Sequence, residues 1–113
     1  MIEGNLNRID GLWTVEFSSS LGLFGNGVVV IKDKRVLGGD VGYYYQGTLD
    51  LIDGNLTGNL TITRYDKNIV SVFGDMDEFS FPFTGRLVAD EFQLEANVRG
   101  LQFQSRGKKK VNF

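Results

Sequence analysis

With 113 residues, 15 glycines, no cysteine and no histidine, the chain has room for one hydrophobic core. It lacks the side chains needed for thiol catalysis, disulfide stapling, thiolate zinc sites or a histidine-activated nucleophile. Hydrophobic residues make up 42% of the chain and charged residues 23%, the balance of a domain that folds by itself. A formal net charge of −2 leaves no basic excess to displace counterions from phosphates, which argues against direct nucleic-acid binding.

Residues 1–10 read as a polar leader that carries Glu3 and no apolar run of signal-peptide length. No later run approaches the roughly 18 apolar residues of a membrane span, so the expected location is cytoplasmic, without a membrane partner. Trp13, Val15 and Phe17 alternate with Thr14, Glu16 and Ser18, the two-residue period of a half-buried strand. Leu21 to Gly27 is broken by glycines, and the β-branched run Val28-Val29-Val30-Ile31 follows as a second strand. Lys32-Asp33-Lys34 marks a hairpin tip, and Arg35 to Gly38 a short strand ending at a glycine pair, with Asp40 capping the turn through its side chain.

Tyr43, Tyr45, Leu49 and Leu51 share one face of the next strand, and Asp53-Gly54 signals a hairpin. The returning strand sets Leu56, Gly58, Leu60 and Ile62 against Thr57, Asn59, Thr61 and Thr63. The β pattern lapses from Asp66 to Gly74, with room for one short helical turn around residues 67–73. Phe79, Phe81 and Phe83 then alternate along a strand on whose other face Pro82 predicts an edge or a bulge. Phe92 to Val98 and Leu101 to Gln104 complete the series before a basic tail, residues 108–113. About eight short strands with no crossover helix predict an all-β domain over 11–107: a single antiparallel up-and-down eight-stranded lipocalin-like barrel, with a sandwich as the alternative.

Candidate sites are few. Tyr43, Tyr45, Phe79, Phe81 and Phe83 are placed to line a ligand cavity, unless the inward leucines and phenylalanines fill the barrel, which is the expectation for one this small. Leu21, Leu23, Phe24 and the outward Tyr44 make a candidate interaction surface. Asp75, Asp77 and Glu78 bring three carboxylates together, but their spacing matches no complete calcium loop, and a solvated loop is the preferred reading. The glycines at 22, 25 and 27 have no P-loop lysine and no following helix, and Lys108 to Lys110 read as a solvated tail. No catalytic residue, metal site or cofactor is expected.

Four segments taken together, in this order and spacing, resemble the GrlR family of negative regulators of type III secretion. They are Gly11 to Phe17, Gly25 to Val30, the Gly38-Gly39-Asp40 turn leading into Tyr43-Tyr44-Tyr45-Gln46-Gly47, and Ser71 to Asp75. The resemblance runs from Gly11 to about Phe103, and its most specific part is the Gly-Gly-Asp turn before the tyrosines. It implies a lipocalin-like barrel, often dimeric, that controls transcription indirectly by sequestering an activator protein. In the namesake, partner contact involves consecutive acids in the turn after the tyrosine-type strand; the corresponding stretch here holds Asp50 and Asp53, separated by Leu51 and Ile52. Two functional classes follow: a regulatory protein-binding module that forms a homodimer, or a barrel that holds a small hydrophobic ligand.

Overall fold

The computed structural model describes residues 8–22, 24–69 and 76–113. Eight strands follow one another: β1 Gly11–Ser19, β2 Phe24–Lys32, β3 Arg35–Gly39, β4 Tyr43–Ile52, β5 Asn55–Arg64, β6 Glu78–Val88, β7 Glu91–Val98 and β8 Leu101–Asn112. Each pairs antiparallel with the next, and β8 returns to β1, so the sheet is a closed barrel. Short loops drive this topology. Asp33-Lys34, Asp53-Gly54 and Arg99-Gly100 have positive φ at both residues, the hairpin geometry whose twist matches that of the flanking strands.

The alternation read from the sequence is the alternation of burial. In β6, Phe79, Phe81, Phe83 and Leu87 point inward while their neighbours face solvent. Pro82 faces outward opposite Asn59 of β5, and the ladder with β7 begins only at Thr84. Proline therefore sits where β6, among the described residues, lacks a partner on one side, a local edge within a closed barrel. Of the expected helical turn at 67–73, residues 70–73 lie outside the described residues. The described part is a turn in which the Ile69 N–H donates to the Asp66 carbonyl at 3.1 Å and the Asn68 N–H to Asp66 Oδ1 at 3.0 Å.

Two expected boundaries move. The barrel does not stop at residue 107, because β8 continues through Lys108–Lys110 and supplies the ladder for the start of β1. A register shift between Leu12 and Trp13 turns Lys109 toward the barrel end, where its Nζ lies 5.5 Å from the Trp13 ring centroid and donates to the Arg8 carbonyl. The leader is not wholly outside the fold either. Ile9 is buried, and its carbonyl accepts the Trp13 indole N–H at 2.8 Å. A fully buried indole needs that acceptor, so Trp13 anchors the incoming chain across the barrel floor.

Curvature is made by pairing a large inward side chain with an inward glycine on the next strand. Phe17 faces Gly25, Phe83 faces Gly58, Leu94 faces Gly85 and Phe92 faces Gly107. The rings lie in the space a Cβ would occupy: one added at Gly107 would meet the Phe92 ring at 2.3 Å, and one at Gly25 the Phe17 ring at 2.4 Å. Such glycines let a sheet bend sharply enough to close. Gly107→Ala should therefore cost about 1–3 kcal/mol by overpacking, read as a lower urea midpoint with unchanged slope.

Candidate functional site

The inward leucines and phenylalanines do not fill the barrel, contrary to the sequence expectation. They leave an apolar cavity of about 200 Å³ whose walls include Val29, Ile62, Phe79, Phe83 and Phe103. Two features account for it. Rings that lie over glycines cling to the wall instead of reaching the axis. At one end the β2–β3 ladder covers only Val28 to Lys32, so among the described residues Phe24 to Gly27 have β1 as their sole ladder partner and the wall parts there. Phe24 and Val41 both line the cavity and are 82% and 75% exposed, which places its mouth between the start of β2 and the β3–β4 turn.

Polar order at the mouth is built on Asp40. Its Oδ1 accepts the N–H groups of Gly42 and Tyr43, each at 2.9 Å, the side-chain cap that the Gly-Gly-Asp turn predicts. Its Oδ2 accepts the Tyr45 hydroxyl, and its carbonyl accepts the Tyr65 hydroxyl. The Tyr45 phenol leans across Gly27, where a Cβ would lie 2.8 Å from the hydroxyl oxygen. Tyr43 spans the same rim from the other side, donating its hydroxyl to the Met76 carbonyl at 3.1 Å. Burial, then the hydrogen bond to Asp40, then the nearby negative charge all push the Tyr45 phenol above its ordinary pKa, so it stays protonated.

Of the residues expected to line a cavity, Tyr43, Tyr45, Phe79 and Phe83 do so. Phe81 is buried beside the cavity, stacked on Phe79 at 6.0 Å and tilted against Phe103 at 5.5 Å. The expected interaction residues do not form one patch. Leu21 and Phe24 flank the β1–β2 turn at the mouth end, Tyr44 lies on the outer face of β4, and Leu23 lies outside the described residues. Asp50 and Asp53 sit at the opposite end of the barrel, where Asp50 pairs with Lys34 at 3.3 Å. Of the three carboxylates near residue 77, Asp75 lies outside the described residues and Asp77 is held by Arg64. Among the described residues no group of three or more acids, histidines or cysteines is placed to hold a metal.

Sequence reading missed Asp40 as a cavity residue and missed an apolar outer face. Across the strand registers, Val111, Leu12, Val30 and Leu37 form one outward row, which continues through Gln46 and Thr61 to Ser80 without a charge. Val28 adjoins it on β2, and these five apolar side chains are between 36% and 55% exposed. The signal was present: Val28-Val29-Val30-Ile31 is apolar on both faces of its strand, where a strand with one wet face should alternate. The outer faces of β6, β7, β8 and β1 differ, carrying the row Arg86, Gln93, Arg106 and Glu16.

No family model matches the chain, and no curated protein matches it. Among solved structures, a redesigned β-barrel is similar, with a TM-score of 0.69 and 12% identity over 91% of this chain and 92% of that one. At that identity the likeness carries the fold alone. The molecule is thus a closed eight-stranded antiparallel barrel, hollow and apolar inside, with a carboxylate and phenol at its mouth.

The Tyr45 phenol gives a pH signature. Its folded pKa lies above the unfolded value near 10, so its contribution to stability is intact below pH 10 and falls as pH rises past it, where the unfolded chain releases the proton first. Melting temperatures between pH 8 and 11 should decline more steeply for the wild type than for Tyr45→Phe. At pH 7 the same substitution should cost about 1–2 kcal/mol for the lost hydrogen bond to a carboxylate.

Proposed function

We propose that the protein is a non-enzymatic regulatory module of the GrlR type, acting by protein–protein contact on a transcriptional activator and not on DNA. The observation that carries this reading is the charge-free row of Val111, Leu12, Val30 and Leu37 with adjoining Val28. Contiguous exposed apolar surface of this kind marks interaction sites on monomeric folds. An exposed apolar patch can meet its own copy about a two-fold axis, and on this reading the module forms a homodimer through it. Asp50, exposed on β4 and ion-paired with Lys34, and Asp53 in the β4–β5 turn lie away from that row, where a partner could meet them on this reading.

A non-enzymatic role is supported by the absence of histidine and cysteine from the chain. The phenol at the mouth also holds its proton and so cannot serve as a base. Charges on the outer faces of β6 to β8 over an apolar interior reverse the polarity of a membrane-spanning barrel, which supports the expected cytoplasmic location. No described helix is long and apolar enough to cross a membrane, a fact that does not bear on barrels.

A second reading rests on a separate observation: the cavity of about 200 Å³ favours a small hydrophobic ligand inside the barrel. The two readings are compatible, because the outer row and the cavity lie on opposite faces of the same strands.

Leu37→Glu and Val30→Lys replace outward side chains and should leave the circular dichroism spectrum unchanged. Sedimentation velocity should find a wild-type dimer and monomeric variants, with dimer affinity reduced at least about 100-fold by like charges meeting at the two-fold axis. A wild-type monomer at the same concentration overturns the dimer.

A further inference from the structure

We propose that the barrel cavity is a binding site for a small apolar amine: a body of about one aromatic ring inside the barrel, with its protonated head on Asp40 Oδ2 at the mouth. The inference rests on the reading of the cavity as a ligand site, and it commits that site to one chemical class.

Size limits the body. An engineered protein cavity of about 150 Å³ takes up benzene, so about 200 Å³ admits an aromatic ring with a short arm and excludes long acyl chains or sterols. Phe17, Phe79, Phe83 and Phe103 offer ring edges and faces to such a body, and the cavity interior has little polar surface to bind a second head group.

Charge selects the head. Asp40 is half-buried at the mouth and lines the cavity. Its Oδ1 is occupied by two backbone N–H groups, while Oδ2 accepts one hydroxyl, from Tyr45, and has a lone pair to spare. No described cation is in ion-pair range of Asp40. Arg64, at the end of β5, is engaged with Asp77 Oδ1 and with the Ile69 carbonyl. A half-buried carboxylate with no counter-ion among the described residues favours an ammonium head and repels a carboxylate ligand of the same shape. The neighbouring hydroxyl of Tyr45 competes for the same oxygen, so it tempers the site instead of building it.

Titration of the ¹⁵N-labelled full chain with 2-phenylethylamine, ethylbenzene and phenylacetate tests this. Amide shifts around Phe17, Val29 and Phe103 report occupancy of the cavity. The amine should bind at least about tenfold more tightly than ethylbenzene, by the margin a charge-assisted hydrogen bond supplies, and phenylacetate should bind weakest. Asp40→Asn keeps an acceptor oxygen for Gly42 and Tyr43 and should erase the preference for the amine while leaving ethylbenzene affinity in place. Tyr45→Phe removes the competing hydroxyl and should tighten the amine. Equal binding of amine and acid, or an amine preference that survives Asp40→Asn, overturns the head-group assignment while the cavity remains a ligand site. Failure of all three compounds, ethylbenzene included, overturns the cavity as a site and the inference with it.

Discussion

Closing a short sheet on itself demands more curvature than regular strands supply, and this chain meets the demand with glycines set opposite large inward side chains. Phe92 over Gly107 and Phe17 over Gly25 flank β8 and β1, on the side where the last strand meets the first. The ring fills the volume that the missing side chain vacates, so the core stays dense at the bend while the backbone turns. Trp13 completes the closure from below by holding Ile9 across the floor through its indole N–H. The hollow interior, the parted mouth and the continuous outer surface all depend on that closed geometry.

Because the rings are spent along the wall, the axis of the barrel is left open, and the opening becomes consequential where the β2–β3 ladder ends. A polar group is tolerated there only if its bonds are met. Asp40 meets them with two backbone N–H groups on one oxygen and a phenol on the other, while Tyr65 ties down its carbonyl. The result is a fixed carboxylate at the edge of an apolar space. The same atoms that cap a tight turn therefore also give the cavity its one charged feature among the described residues.

The outside of the barrel is divided. In one row over β6, β7, β8 and β1, arginines, a glutamine and a glutamate follow one another across the strands, whereas the row from Val111 to Leu37 runs uncharged over β8, β1, β2 and β3. Strand residues facing water normally alternate with those facing the core, so an outer row that is itself apolar is not explained by the fold's own packing. On the proposed reading it is the surface a protein partner covers, and that is why the outer face, more than the interior, supports the proposal of a protein-binding role.

The strands and their order were legible from the chain alone. Alternation in Trp13-Val15-Phe17 and Phe79-Phe81-Phe83 sets which face is buried, and Asp53-Gly54 and the Gly-Gly-Asp turn dictate where the chain reverses, because these are local steric and hydrogen-bonding properties. The register with which β8 closes on β1, the strand role of Lys108–Lys110, the cavity, the pairing of Asp40 with Tyr45 and the alignment of Leu12 with Val30 and Leu37 were decided only in the tertiary structure. Each depends on register between strands that are distant in sequence or on the volume left after packing, and neither quantity is encoded in the spacing of neighbouring residues.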